Sequence, residues 1–307
     1  MLTKDILHIL PNVIKDEIKQ NKNLDKLQEI RIKIDKPVFL VCNNQEFKLT
    51  YIATIEDIKM ILQRISNYSI YAFEDEIKQG YITIQGGHRV GLCGSCVIDK
   101  NSVKTMKNIS SINIRVAREV LGCSSNILPY IINEDRVMNT IIISPPKCGK
   151  TTILRDLVRI ISNGAYKYNL TGKCVSVIDE RSEIGSCYKG VPQMDVGLRT
   201  DVLDNCPKNE GIIMAIRSMA PQVVACDEIG TPKDMDSIIM ALNSGVSLIT
   251  TIHGFDIEDL YRRSVFKDVI DNKVFERGIV LSNRKGIATI EYIYDFTKGE
   301  KVRGDYY

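Results

Sequence analysis

The sequence predicts an α/β protein in two parts. A smaller N-terminal α/β domain is expected over residues 1–120, and a second domain over 121–307 built on a mostly parallel sheet. Three observations predict this. Strand-like and helix-like stretches alternate through the second half, the pattern of parallel strands joined by crossover helices. A β-branched run ending at Ser144 passes through a short loop into a helical pattern at Lys150, in "IIISPPKCGKTT". Four strand-like runs, about Thr140–Ser144, Val175–Asp179, Val223–Asp227 and Leu248–Ile252, carry polar residues at their carboxyl ends, where open parallel sheets hold ligands.

The elements follow in order. "MLTKDILHILPNVIKDEIKQ" has Leu2, Ile6, Ile9, Leu10 and Val13 at helical spacing, so the first element is expected to be a helix packed on its own domain. "LQEIRIKI" alternates apolar and polar residues as a half-buried strand does, and "KPVFLVCN" follows it after a turn at Asp35-Lys36-Pro37. "IEDIKMILQRISNYSIYAFEDEIKQG" reads as helical up to Gly80. "YITIQGGHRVGLCGSCVI" reads as strand, Gly-Gly turn, strand, and "SINIRVAR" alternates again. The boundary is expected between about Arg118 and Asn133, with a short hinge and no low-complexity linker. Beyond it, helices are expected at Lys150–Ser162, Gly211–Met219 and Lys233–Asn243, the first capped by Asn163-Gly164.

Composition narrows the function classes. A net charge of +3 over 307 residues is too mild for a nucleic-acid argument, so no nucleic-acid partner is expected. No apolar run approaches the roughly 18 residues of a membrane span, and the first residues lack signal-peptide features. Nine scattered cysteines point with this to free thiols in a reducing cytoplasm. Cys93 and Cys96 form one C-x-x-C pair with only His88 nearby, which reads as small residues in a tight Gly-rich hairpin rather than a metal centre.

Chemistry concentrates in the second half. Ser144, Pro145, Pro146, Lys147, Cys148, Gly149, Lys150, Thr151 and Thr152 form a strand–loop–helix phosphate cradle. Backbone N–H groups and the positive helix end would surround phosphate, Lys150 would reach its outer oxygens, and Thr151 would hold Mg²⁺. Ser144 stands where the P-loop signature has glycine, a cost only if that position needs a positive φ. "VVACDEIG" supplies an acidic strand end, with Asp227 toward Mg²⁺ and Glu228 as general base for water. "VIDERSEI" ends in Asp179, Glu180 and Glu183, which could orient water or metal or pair with Arg181. "SLITTIHG" ends in Thr250, Thr251 and His253, and the histidine is suited to sensing a γ-phosphate. Arg89, Arg115, Arg199, Arg217, Arg262 and Arg263 are candidates for a cation on that phosphate.

These motifs, in this order, resemble those of the secretion ATPases of type II and type IV systems: a Walker A loop, an acidic box, a Walker B strand and a histidine box. The chain resembles still more closely the stage III sporulation protein AA family of endospore-forming bacteria, through "LQEIRIKIDKPVFL", "GYITIQGGHRVGLCG", "INIRVARE", "CGKTTILRDLVR", "IDERSEIG", "VGLRTDVLDNCPK" and "IRSMAPQVVACDEIG". The resemblance implies a RecA-like P-loop domain behind the smaller N-terminal domain, ATP and Mg²⁺ as cofactors, and a homo-oligomer, as a hexameric ring. It implies ATP hydrolysis in the mother-cell cytoplasm, energising a secretion or channel complex during endospore formation, with membrane proteins of that stage III complex as partners. By the same resemblance Lys150 and Thr151 bind phosphate and Mg²⁺, Asp227 and Glu228 form the Walker B pair, Glu183 is the acidic-box residue and His253 the histidine-box residue. The chain departs from its relatives at Ser144 and Lys147, where glycine is common. Two alternatives stay open: a nucleotide-gated scaffold with little turnover, and a RecA-like ATPase acting on nucleic acid.

Overall fold

A computed structural model describes residues 4–20, 24–66 and 73–304. The chain divides into two compact units, Met1–Arg118 with Ser186–Gln193, and Glu119–Gly185 with Met194–Tyr307.

The first unit is built on six strands: β1 (Leu27–Lys33), β2 (Pro37–Cys42), β3 (Gln45–Ile52), β4 (Tyr81–Ile84), β5 (His88–Asp99) and β6 (Ser102–Arg115). They form one antiparallel sheet in the order β3-β2-β1-β6-β5-β4. Ile30, Ile32, Leu40, Ile112 and Ile114 are fully buried in its core. The N-terminal stretch is not one helix but two, α1 (Lys4–Leu7) and α2 (Asn12–Lys19), separated at Pro11. Proline lacks the N–H an α-helix interior needs and turns the preceding residue out of helical backbone. Ile6, Ile9, Leu10, Ile14 and Ile18 pack inward, while Val13 is exposed; Leu2 lies outside the described residues. The helical stretch expected up to Gly80 contains α3 (Ile55–Ile65), opened by a Thr54–Asp57 capping box, and α4 (Glu74–Gln79); its residues 67–72 lie outside the described ones. Cys93 and Cys96 are not in a hairpin turn. Both lie along β5, whose turn from β4 is at Gly86-Gly87, with a register shift between Cys93 and Ser95.

The second unit opens with a short helix, α5 (Leu128–Ile131), and a small hairpin, β7 (Ile132–Asn133) with β8 (Arg136–Val137). Its main sheet contains β9 (Thr140–Ser144), β10 (Val175–Asp179), β11 (Thr200–Asp204), β12 (Val223–Cys226), β13 (Ser247–His253), β14 (Arg277–Ser282), β15 (Thr289–Asp295) and β16 (Glu300–Gly304). The order is β11-β10-β12-β13-β9-β14-β15-β16. Strands β11 to β14 are parallel, and β15 and β16 extend the sheet antiparallel.

The central strands are apolar runs because both their faces are covered. Ile142 packs with Ile153, Leu154 and Leu157 of α6 (Lys150–Asn163) on one face. Ile141 and Ile143 pack on the other with Ile212 and Ala215 of α7 (Lys208–Met219), and with Ile238 and Ala241 of α8 (Pro232–Asn243). Strand β11 is the addition at one edge and β14–β16 at the other; the four runs read from the sequence are the interior of this larger sheet. No described helix is long and apolar enough to cross a membrane.

Candidate functional site

The carboxyl ends of β9, β10, β12 and β13 converge on a pocket of about 390 Å³ in the second unit. Lys147, Gly149, Lys150, Thr151, Thr152, Glu183, Asp227, Glu228, His253 and Ile287 line it. All but Ile287 are residues singled out from the sequence. Ser144, Pro145, Pro146 and Cys148 build the base of the loop instead of the pocket wall.

The loop is shaped by two left-handed residues, Lys147 at φ +61° and Gly149 at φ +88°. Ser144 is not among the positive-φ residues, so serine costs nothing there. The strained departure from the glycine pattern is Lys147, at roughly 1–2 kcal/mol for a residue with a Cβ. At Gly149 a Cβ would come within 2.9 Å of Ile287 Cγ2 and 3.1 Å of Ala288 Cβ, in the segment packed against the loop through the Ala288 N–H to Cys148 O bond of 3.0 Å. Helix α6 begins at once, with no side-chain cap and no acid in its first turn. The N–H of Ile153 pairs with Gly149 O at 2.9 Å, and the N–H groups ahead of it have no carbonyl one turn back. An uncapped, acid-free helix start behind a tight loop suits a phosphate group.

Lys150 is buried, and its ammonium donates to Ser144 O at 3.1 Å, Pro145 O at 3.2 Å and His253 Nδ1 at 2.8 Å. Burial lowers its pKa from the ordinary lysine value, opposed by the charges of Asp227 and Glu228. An ammonium has only donors, so His253 accepts at Nδ1 and carries its proton on Nε2, where it meets Glu228 Oε1. Glu228 Oε2 pairs with Arg181 Nη1 at 2.5 Å. Both oxygens of the glutamate are therefore held by donors. Thr151 Oγ1 donates to Asp227 Oδ2 at 2.6 Å, which sets a hydroxyl and a carboxylate side by side. That pair is the oxygen donor set Mg²⁺ takes from a protein when phosphate and water complete its shell.

The acidic box is arranged differently. Asp179 is only 2 % exposed and accepts the N–H groups of Glu183 at 2.8 Å, Ile184 at 2.9 Å and Gly185 at 2.8 Å. Burial pushes its pKa up to about 6, against these hydrogen bonds and with a contribution from nearby Asp204. Arg155 of α6 donates to the carbonyls of Ile184 at 2.6 Å and Glu183 at 2.5 Å, tying the box to the helix that follows the loop. Glu183 is thereby carried to the pocket.

Among the arginine candidates, Arg263 donates to His253 O at 2.7 Å, Arg199 to Ser162 O at 3.0 Å, Arg262 pairs with Asp259 at 3.8 Å and Arg89 stacks over Tyr81. The guanidinium that reaches Glu228 belongs to Arg181, read from the sequence only as a partner for the acidic box. Ile287 and the role of Thr251 were also missed. Thr251 stood in view inside "TTIHG", while nothing local marks Ile287.

A family model described as "Sporulation stage III, protein AA" matches residues 2–302. The chain is 45% identical over 294 residues to "Stage III sporulation protein AA" of Bacillus subtilis (strain 168), covering 95% of this chain and 94% of that protein. Among solved structures it is similar to the Legionella pneumophila ATPase DotB, with a TM-score of 0.60 and 14% identity over 92% of this chain and 81% of that one. It is similar also to the pilus retraction motor PilT with bound ADP, with a TM-score of 0.61 and 14% identity over 92% and 82%. At that identity the likeness is one of fold, a P-loop secretion-ATPase fold.

Proposed function

The chain belongs to the sporulation stage III protein AA family, and on that premise we propose that it is an ATPase whose hydrolysis of Mg²⁺-ATP energises a secretion or channel complex during endospore formation. One observation carries the reading. Four separate strand ends bring two lysines, two threonines, three acids and a histidine to a single pocket at the start of an uncapped helix. Residues 1–120 serve as the accessory domain and 121–307 as the motor. The working form is a homo-oligomer, a hexamer in this reading, in the mother-cell cytoplasm against membrane proteins of the stage III complex. The ATPase folds of DotB and PilT support the motor class.

The residues divide the work as their geometry suggests. The first-turn N–H groups of α6 and the Lys150 ammonium bind the β- and γ-phosphates, Lys150 exchanging the Ser144 and Pro145 carbonyls for phosphate oxygens. Thr151 and Asp227 hold Mg²⁺, which supplies charge neutralisation on the phosphates when bound. Once Lys150 turns to phosphate, His253 loses its Nδ1 donor. Glu228 must then leave the His253 and Arg181 contacts to accept a proton from the attacking water. Glu183 lines the same wall and orients that water.

The test is ATP binding and steady-state hydrolysis by the full chain at several concentrations, beside Lys150→Ala and Glu228→Gln. The reading expects turnover that rises cooperatively with protein concentration, ATP binding lost in Lys150→Ala, and binding without turnover in Glu228→Gln. Binding with no turnover at any concentration would favour the scaffold, and no binding by the wild type would sink the reading.

A further inference from the structure

Strand β13 sets the positions of Asp227 and Glu228, and one side chain makes the link. Thr251 is fully buried beside β12. Its hydroxyl donates to Asp227 Oδ1 and accepts the N–H of Glu228 at 2.9 Å. A hydroxyl has a single proton, so the donor is committed to the carboxylate and a lone pair to the backbone. The other carboxylate oxygen, Oδ2, takes the Thr151 hydroxyl at 2.6 Å. Two threonines on different elements thus pin the two oxygens of one aspartate.

Glu228 needs holding for a second reason. It sits at φ +53°, a left-handed conformation that is unfavourable for a residue with a Cβ. Two bonds to Thr251 fasten this turn: the Glu228 N–H to the hydroxyl, and the Ile229 N–H to the Thr251 carbonyl at 3.0 Å. A valine at 251 has the same outline and removes only the first.

We propose that Thr251 is a positioning residue whose hydroxyl couples the metal-facing carboxylate of Asp227 to the backbone of the general base Glu228. The inference rests on the Mg²⁺-ATP reading and deepens it. Thr251 is absent from the pocket wall and acts through its two neighbours. Without the Thr251 hydroxyl, Asp227 keeps only the Thr151 donor and its carboxylate can rotate, and Glu228 without its N–H acceptor loses its aim at the water.

Two variants of the full chain decide it: Thr251→Val, which deletes the hydroxyl, and Thr251→Ser, which keeps it. A fluorescent ATP analogue is titrated in EDTA and again with Mg²⁺, and hydrolysis is followed separately. In EDTA both variants bind as the wild type does. With Mg²⁺, the wild type and Thr251→Ser gain affinity while Thr251→Val does not, and kcat of Thr251→Val falls roughly 10- to 100-fold, the usual effect of losing an outer-shell partner, with KM for ATP moving less. A Thr251→Val protein that matches the wild type in its Mg²⁺ response and kcat overturns the inference. So does a Thr251→Ser protein as impaired as Thr251→Val, because packing of the methyl would then be the cause. If the wild type binds no ATP in either buffer, the parent reading falls and this one with it. A wild type that responds to Mg²⁺ beside an unchanged Thr251→Val overturns this one alone.

Discussion

Strands β10 and β12 lie side by side and run into the same dipeptide, Asp179-Glu180 and Asp227-Glu228. Ile178 is opposite Cys226, so the two aspartates follow at the same level of the sheet. Their fates are opposite. Asp227 meets the side-chain hydroxyls of Thr151 and Thr251 and stays on the pocket wall. Asp179 turns into its own loop and caps three backbone N–H groups out of reach of solvent. Glu228 bends across the pocket in a left-handed conformation, whereas Glu180 is exposed and pairs with Lys208 of α7. An acid at a strand end becomes a site residue when neighbouring elements present side-chain donors to it. Where its own turn presents N–H groups first, it becomes part of the fold.

The largest effect that would test this contrast is on stability. Asp179→Ala leaves three N–H groups without their acceptor, at about 1–3 kcal/mol each, offset by relief from burying a carboxylate. A net loss of about 3–4 kcal/mol is expected in urea unfolding. Next is a pH dependence. The Asp179 pKa is raised from 3.8 to about 6, so the folded state holds its proton longer than the unfolded chain does. Its contribution to stability is therefore fully present below about pH 4 and is lost as pH rises to about 6, a change on the order of 3 kcal/mol. Asp179→Asn should flatten that segment of the unfolding free energy against pH; an unchanged slope would show that the carboxylate is solvated. Asp227→Ala should weigh the other way from Asp179→Ala: hydrolysis falls roughly 100-fold, while stability drops only by about 1–3 kcal/mol, for the one buried hydroxyl, Thr251, left without its acceptor. If Asp227→Ala unfolds the protein and Asp179→Ala merely slows it, the two acids have been assigned the wrong way round.

The sequence carried much of this, and its failures have physical causes. Strands β9, β10, β12 and β13 were legible because interior parallel strands are apolar on both faces, as "IIIS" and "VVAC" are. Strand β11, "TDVLD", is a half-exposed edge with acids at Asp201 and Asp204 and no two-residue alternation, and it reads as loop. Strand β14 follows only two short helices, Glu258–Arg262 and Lys267–Asp271, too brief to show a helical stripe, and β15 and β16 are added as antiparallel hairpins. Pro11 divides the first helix although the apolar stripe runs on past it, because proline supplies no N–H to the helix interior. In the site, each motif was local and therefore readable. The pairings were not: Thr251 with Asp227 and Arg181 with Glu228 depend on which strand lies beside which. For the same reason nothing in "VIDERSEI" distinguished Asp179 from Asp227, since the difference lies in the donors that surround each one.

The second residues of the two dipeptides offer the smallest and cleanest contrast. Glu180 is about two-fifths exposed and pairs with the ammonium of Lys208 at the start of α7, a lysine whose side chain is only 11 % exposed. A pair whose carboxylate reaches water is worth about 0–1 kcal/mol, because water replaces much of what the partner supplies to that charge. Glu180→Gln should therefore shift the urea midpoint slightly, and the shift should vanish in high salt, where the Debye length falls to about 3 Å at 1 M. Hydrolysis should stay at the wild-type rate. Glu228→Gln, the same change at the same place one strand over, should stop turnover and spare ATP binding. Measured together at low and high salt, the two variants separate the charge that steadies the surface from the charge that does chemistry. A Glu180→Gln protein that also stopped hydrolysis would place Glu180 beside Glu183 in the reaction, and Glu228 would no longer be the sole base.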